Sequence, residues 1–260
     1  MAPAAEGERR QGRAAAMIAT GLGSFFRAAQ DLILPALCLA CGERLASSRP
    51  PLFCPACRED LRPAASPLCS CCGRPFPHAA GTDHLCATCL KSSWHFTRAR
   101  ALFLYTPPVA RAIHRLKYDR STAGLATFRL FFEARRAELA LAAFDRIVPV
   151  PLHPGRLRQR GFNQALLLAR SFFPGDRAVR ADLLERSRAT PPQTGLSGEV
   201  RRRNLKGAFR AAAPQEVDGR TVLLVDDVFT TGATADECAR TLRRAGAAEV
   251  QVLTLARVED

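Results

Sequence analysis

Val222-Leu223-Leu224-Val225-Asp226-Asp227-Val228-Phe229-Thr230-Thr231-Gly232-Ala233-Thr234 is the stretch that decides the fold. The four apolar residues Val222 to Val225 read as a strand buried on both faces, as the inner strands of a parallel sheet are. Asp226 and Asp227 follow at its C-terminal edge. The Thr230-Thr231-Gly232 turn then opens a helix from Ala233 to Ala245, closed by Gly246. In open α/β sheets, ligands bind beyond the carboxyl ends of the strands. Backbone N–H groups at a helix start, helped by the helix dipole and by threonine hydroxyls, hold a phosphate there. Gly232 lets the backbone come close to the anion. The two carboxylates would repel a phosphate; they suit sugar hydroxyls or a divalent cation. A pentose carrying a 5-phosphate meets both demands. An acidic strand end with ordinary helix capping accounts for less of the pattern. The chain lacks Gly-x4-Gly-Lys-Ser/Thr and Gly-x-Gly-x2-Gly, which disfavours nucleotide triphosphatases and dinucleotide binding.

Outward from this stretch, strand-like and helix-like runs alternate. Arg98 to Tyr105 and Arg146 to Val150 read as strands, and Val250 to Leu255 as a last strand. Val109 to Tyr118, Leu125 to Ala143 and Phe162 to Phe173 read as helices. That alternation predicts an α/β fold built on a mainly parallel sheet over residues 95–260.

The cysteines form a separate module, expected over residues 38–94. Nine of the ten lie between Cys38 and Cys89. Eight make four Cys-x2-Cys pairs: Cys38 with Cys41, Cys54 with Cys57, Cys69 with Cys72, and Cys86 with Cys89. Two pairs end on the same Cys-Gly step, Cys41-Gly42 and Cys72-Gly73, so a four-cysteine unit is repeated. A Cys-x2-Cys turn aims two thiolates at one tetrahedral centre, and a second turn closes it. Four thiolates leave no open position, so two structural zinc ions are expected, supplying much of the module's folding free energy. Sequential pairing is the simple assumption; an interleaved cross-brace is the other. Redox or disulfide pairs are a weaker reading. Cys71 is an extra thiol, and His78 and His84 are alternative ligands that eight spaced cysteines make unnecessary.

The stretch around Asp226 resembles the phosphoribosyl-pyrophosphate (PRPP) signature of type I phosphoribosyltransferases. The resemblance implies that Asp226 and Asp227 contact the ribose hydroxyls as the catalytic pair. It also implies that Val228 and the Thr230, Thr231, Gly232, Ala233, Thr234 loop hold PRPP, with Mg²⁺ bridging pyrophosphate and ribose. Further motifs resemble the competence protein F (ComF) family. These are Val148 to Pro154 including His153, Arg160-Gly161-Phe162-Asn163-Gln164, Pro191 to Ser197, Arg201 to Leu205, and Leu116-Lys117-Tyr118. The layout, a double zinc ribbon before a type I phosphoribosyltransferase fold, is also that family's. On the resemblance, Leu152 to Arg156 is the pyrophosphate loop, and Leu152, His153, Arg160 and Lys117 join the PRPP site. Gln193, Gly195, Ser197, Arg201, Arg202 and Asn204 fall in a flexible loop that closes over the ligand. Pro on both sides of Leu152-His153 predicts an extended loop, with His153 structural or a phosphate donor.

Charge agrees with an anionic partner. The net charge is +14, and residues 153–220 carry fourteen Lys/Arg against six Asp/Glu. Arg201 to Arg203 also fit a solvated face or contact with a DNA backbone. Phe162 and Phe209 are the aromatic candidates for base stacking near this segment, and both also fit a core. Residues 1–17 read as a disordered tail, with Met17 a second candidate start; Glu6 and Glu8 argue against a transit peptide. Residues 18–37 read as an amphipathic helix that packs on its own protein, with weak membrane-surface contact the lesser reading. No uninterrupted apolar run of ~20 residues reads as a membrane span. Reduced, clustered cysteines suit the cytoplasm.

These features carry three functional readings. The first is a phosphoribosyl transfer enzyme (a glycosyltransferase) whose acceptor the sequence does not identify. The second is a competence factor for DNA uptake that binds single-stranded DNA and keeps PRPP as a regulator or relic, as the ComF resemblance implies. The third is a zinc adaptor that docks on a helicase or membrane translocation partner through residues 18–36.

Overall fold

The computed structural model describes residues 35–77, 81–118, 122–189 and 198–259. The expected tail and most of the expected amphipathic helix lie outside them. Two short helical turns, α1 (Pro55–Glu59) and α2 (Ala87–Lys91), belong to the cysteine region. After them come β1 (Arg98–Leu104), α3 (Pro107–Tyr118), α4 (Gly124–Arg135), β2 (Arg146–Pro149), α5 (Pro154–Arg160) and α6 (Gln164–Phe172). The chain continues through β3 (Leu184–Arg186), α7 (Gly198–Leu205), β4 (Phe209–Ala211), β5 (Thr221–Phe229), α8 (Ala233–Arg244) and β6 (Glu249–Arg257). Four strands lie side by side in the order β1-β6-β5-β2, and every neighbouring pair is parallel. β3 and β4 form a separate antiparallel pair.

The sheet divides the core in two because side chains alternate along β5 and β6. Leu223, Val225, Leu253 and Leu255 pack with Ile113 of α3, Phe128 of α4 and Phe172 of α6. Val222, Leu224, Val250 and Val252 pack with Cys238 and Leu242 of α8 and with Leu184 and Phe209 of the small pair. Each such fully buried aliphatic side chain contributes roughly 1.5–3 kcal/mol over an exposed one.

The two cysteine units sit on opposite faces of this sheet. Cys38, Leu39, Phe53 and Cys54 join the first core, whereas Cys69, Cys72, Cys86 and Phe96 join the second. The chain between them passes over the outer edge of β1. There Leu104 N donates to the Arg62 carbonyl at 2.8 Å, and Ala64 N donates to the Leu102 carbonyl at 3.1 Å. The linker thereby covers a strand edge that would otherwise offer unpaired backbone groups.

Three local expectations change. The helix from Leu125 stops at Arg135, and Ala140 adopts a left-handed φ of 47°. Leu139 is buried in the core; reaching it requires the chain to turn back, and tertiary packing overrides helix propensity. The Leu152-His153 step is extended as expected, with His153 at φ −61° and ψ 141°. The expected Leu152 to Arg156 loop nevertheless ends early, because Pro154 starts α5 at the first helical position, where its missing N–H costs nothing. β5 is longer than its apolar run, so Asp226 and Asp227 lie inside its last turns of ladder rather than beyond it.

Candidate functional site

The eight paired cysteines form two sets, Cys38, Cys41, Cys54 and Cys57, and Cys69, Cys72, Cys86 and Cys89, each with its sulfurs within 4.8 Å of one another. The pairing is therefore sequential, not interleaved. Cys41 and Cys54 Sγ are 3.7 Å apart, and Cys72 and Cys86 Sγ are 3.8 Å apart. A tetrahedral ion with Zn–S bonds of about 2.3 Å requires sulfurs roughly 3.8 Å apart, so both sets fit zinc. Gly42 and Gly73 have φ of 82° and 71°, and their N–H groups donate to the Cys38 and Cys69 carbonyls at 3.0 and 2.9 Å. The repeated Cys-Gly step is thus a left-handed turn that glycine makes without strain. Burial opposes ionisation of Cys38 and Cys69, but backbone N–H groups, Cys54 N and Cys86 N foremost, outweigh it and bring each thiol down to about 6. Each cluster so contains one sulfur prepared as a thiolate ligand.

A cleft of about 690 Å³ opens at the carboxyl ends of the strands. Its floor is the end of β5. Adjacent residues on a strand point to opposite faces, and the two acids do so here. Asp227 turns toward α3, where Lys117 Nζ approaches its Oδ2 to 2.7 Å. Asp226 turns toward α8 and β3, where its neighbours are the Arg186 guanidinium and the Cys238 thiol, which burial keeps neutral. Burial and the Asp227 charge push Asp226 up to about 7, although the Asp227 N–H donates to its Oδ1 at 2.8 Å and Lys117 and Arg186 work the other way. Burial works against the Lys117 ammonium too, yet the Asp227 carboxylate outweighs it and raises the lysine pKa.

Next to the acids, Thr230 and Thr234 line the cleft at the start of α8. Gly232 caps that helix with φ 77°, and a Cβ there would stand 2.7 Å from Phe229 Cζ. Glycine is required by conformation and by the Phe229 ring. The first turn of α8 is anchored from outside: His95 N donates to Asp236 Oδ1 at 2.8 Å.

The opposite wall is basic. Arg156 and Arg160 come from α5, and Arg186 comes from β3. Gly161 ends α5 in a left-handed conformation, and Asn163 starts α6 by accepting from Ala165 N at 2.9 Å while donating to the Val150 carbonyl at 3.0 Å. The Arg160-Gly-Phe-Asn-Gln run is therefore a helix–turn–helix corner tied to the end of β2. Gln164 from that corner is 5 % exposed, lines the cleft, and its Oε1 has no hydrogen-bond partner among the described residues. At the mouth, Tyr105 and Tyr118 are exposed, and Arg160 stacks 5.2 Å over the Tyr118 ring. These are the chain's two tyrosines.

Of the residues expected at the PRPP site, Lys117, Leu152, Arg160, Asp226, Asp227, Val228, Thr230 and Thr234 surround this one cleft. Thr231 faces a second, smaller cavity. Ala233 is buried as the first residue of α8. His153 does not line the cleft; its Nδ1 accepts from Gly155 N at 3.2 Å and caps α5. Arg202 lies over Trp94 at 5.1 Å, away from the cleft, and the Asn204 carbonyl accepts from Arg188 Nη2 at 2.8 Å. Gln193, Gly195, Ser197 and the Arg201 side chain lie outside the described part. Sequence reasoning missed Tyr105, Gln159, Gln164 and Arg186 as lining residues. Only Gln164, inside a quoted motif, carried a signal.

Residues 29–91 match the family described as double zinc ribbon domain, and residues 159–260 match the family described as phosphoribosyl transferase domain. The chain is 40 % identical over 233 residues to the DNA utilization protein YhgH of Salmonella typhimurium, covering 87 % of this chain and 99 % of that protein. It is 35 % identical over 213 residues to competence protein F of Haemophilus influenzae, covering 79 % and 90 %. It is 28 % identical over 207 residues to competence protein ComFC of Bacillus subtilis, covering 78 % and 83 %. No helix among the described residues is long and apolar enough to cross a membrane.

Proposed function

Because this chain belongs to the family of competence protein F, ComFC and YhgH, we propose that its cleft holds PRPP and that the protein serves DNA uptake and utilization from the cytoplasm. One observation carries the reading. Two carboxylates and a phosphate-type helix start share a cleft with Lys117, Arg156, Arg160 and Arg186. The acids suit ribose hydroxyls, the Thr230–Thr234 turn suits the 5-phosphate, and the basic wall suits pyrophosphate. Gln164 Oε1, buried and unmatched, offers an acceptor for a ligand hydroxyl or amine. Beyond the two cysteine sets, the described residues contain no group of three potential metal ligands. Asp226 and Asp227 are the cleft carboxylates that would face Mg²⁺ bound with PRPP, and the ion would supply charge neutralisation for the pyrophosphate.

For phosphoribosyl transfer, the chain's own contribution is positioning and electrostatics. Asp226 and Asp227 orient the sugar, Thr230 and Thr234 fix the phosphate, and the arginines stabilise charge on the leaving group. Calorimetry with PRPP, with and without Mg²⁺, tests the site. Binding is expected in the wild type and is lost in Asp226→Asn/Asp227→Asn; unchanged affinity in that variant refutes the assignment. Pyrophosphate release with any nucleobase or short single-stranded DNA establishes transfer.

Tyr105 and Tyr118 favour a second reading in which the cleft mouth takes a base of single-stranded DNA and PRPP acts as a regulator. Exposed tyrosines beside arginine are the parts of a sequence-tolerant stacking platform. Strand affinity is then expected to fall steeply with salt and to weaken in Tyr118→Ala.

A further inference from the structure

A second cavity, of about 240 Å³, lies between the second cysteine cluster and the far side of the Thr230–Thr234 turn. Arg74 reaches it from the second ribbon, Arg202 from α7 and Arg257 from the end of β6. Three guanidinium groups from three separate parts of the chain thus line one small space. Thr231 lines it as well, as do Cys72 and Cys86 of the second zinc set, and no carboxylate among the described residues does.

The most buried of these groups is Arg257, 3 % exposed. Its Nη1 donates to the Cys72 carbonyl at 2.6 Å, and its plane lies 5.0 Å over the Phe229 ring. Its Nε nevertheless finds no partner, and neither does the buried Thr231 hydroxyl. Leaving a buried donor unmatched costs about 1–3 kcal/mol, and more for a charged group. The thiolates of Cys72 and Cys86, which also line the cavity, answer part of the positive charge but leave both donors unmatched, and a phosphoryl oxyanion between the donors would satisfy them together. Guanidinium forks match phosphate oxygens in pairs, which sets the chemistry. The volume falls below the roughly 300 Å³ at which pockets for whole small molecules begin, so it suits a phosphate or diphosphate group rather than a complete nucleotide.

We infer that this cavity is a phosphate-group subsite, separate from the cleft, that holds a phosphoryl oxyanion between the second ribbon and the back of the Thr230–Thr234 turn. The group comes either from a free anion or from the backbone of a nucleic acid strand. Thr230 lines both cavities, so the two sites share one residue.

Trp94 is the chain's single tryptophan, and it lines this cavity and not the cleft. Its fluorescence therefore reports the subsite directly. The full chain with both zinc ions is titrated with inorganic phosphate, with pyrophosphate and with a short oligo-deoxythymidine strand. A saturable change is expected. It weakens at least tenfold in Arg74→Gln/Arg202→Gln and is unaltered in Thr234→Val, which changes the cleft alone. A response to the small anions identifies a free-anion site, and a response to the strand alone identifies a backbone-phosphate site. Zinc content and circular dichroism check that the variants fold. Should the double variant not fold, Arg202→Gln, at an exposed position of α7, is expected to weaken the response at least threefold. The inference is overturned if no probe gives a saturable response. It is equally overturned if the response survives the arginine changes or vanishes in Thr234→Val, which would place the anion in the cleft. Either result leaves PRPP binding to be judged separately by calorimetry.

Discussion

Lys117 of α3 reaches across the cleft floor and closes to 2.7 Å on Asp227 of β5. The Asp227 side chain is 7 % exposed and that of Lys117 22 %. The pair therefore sits where water screens it little, and each charge relies on the other. Removing one partner of a buried pair costs more than the pair contributes, because a charge is left stranded. Lys117→Met is expected to lower unfolding stability by about 3 kcal/mol, measured by urea denaturation. The double change Lys117→Met/Asp227→Asn is expected to recover part of that loss. Strictly additive losses would show that the two side chains do not interact. Lys117→Met and Asp227→Asn are each also expected to bind PRPP at least tenfold more weakly, since both side chains line the cleft.

Asp226 contributes a pH dependence of its own. Its charged neighbours are Asp227, which disfavours its charge, and Lys117 and Arg186, which favour it. Burial decides, and the folded pKa of about 7 lies above that of an unfolded aspartate. The folded state then binds a proton that the unfolded state has released, so this group's contribution favours folding below pH 4 and is lost as pH rises through about 7. Asp226→Asn removes the ionisation. It is expected to raise the Tm at pH 8 clearly more than at pH 5, while abolishing PRPP binding at both. An equal Tm change at the two pH values would show that Asp226 titrates normally.

Residues that were visible in the sequence are those whose roles are local. The acid pair, the threonine turn and the glycine cap occupy one continuous run, and the buried strand before them shows as four apolar residues. The cysteine clusters were legible for the same reason: the repeated Cys-Gly step is a turn that short-range geometry imposes. What the sequence hid was contributed by tertiary contact. Arg186 lies on a three-residue strand with no periodicity, and only the fold sets it under Asp226. Tyr105 looks like a strand end, and its place at the cleft mouth follows from β1 lying beside β6. His153 reads as a ligand-loop histidine on the family resemblance. Pro154 instead starts α5, and the His153 ring caps that helix. Leu139 lies in a run with helical composition, and its burial is what breaks the helix.

The two ribbons occupy opposite faces of the sheet, so losing one is expected to differ in effect from losing the other. The first packs against α3 and α4, where Leu52 N donates to Thr127 Oγ1 at 2.9 Å. The second is tied to the site itself. Ala99 N donates to the Cys71 carbonyl at 2.7 Å. The segment that leaves α2 carries Trp94, His95 and Phe96. His95 anchors the start of α8, and Phe96 meets the Phe229 ring edge-on at 6.0 Å. Metal analysis is expected to find two zinc ions per chain, and Cys54→Ser and Cys86→Ser each to lose one. Structural zinc contributes on the order of 10 kcal/mol to the folding of small ribbons, so both variants are expected to have a lower Tm. Their PRPP affinities are expected to diverge. Cys86→Ser releases the brace behind the phosphate turn and weakens binding at least tenfold, whereas Cys54→Ser leaves affinity within about threefold, each factor of ten being ~1.4 kcal/mol. Calorimetry on the two proteins at matched zinc content decides the point. Equal losses would mean that the second ribbon supports the fold as a whole and has no particular hold on the turn.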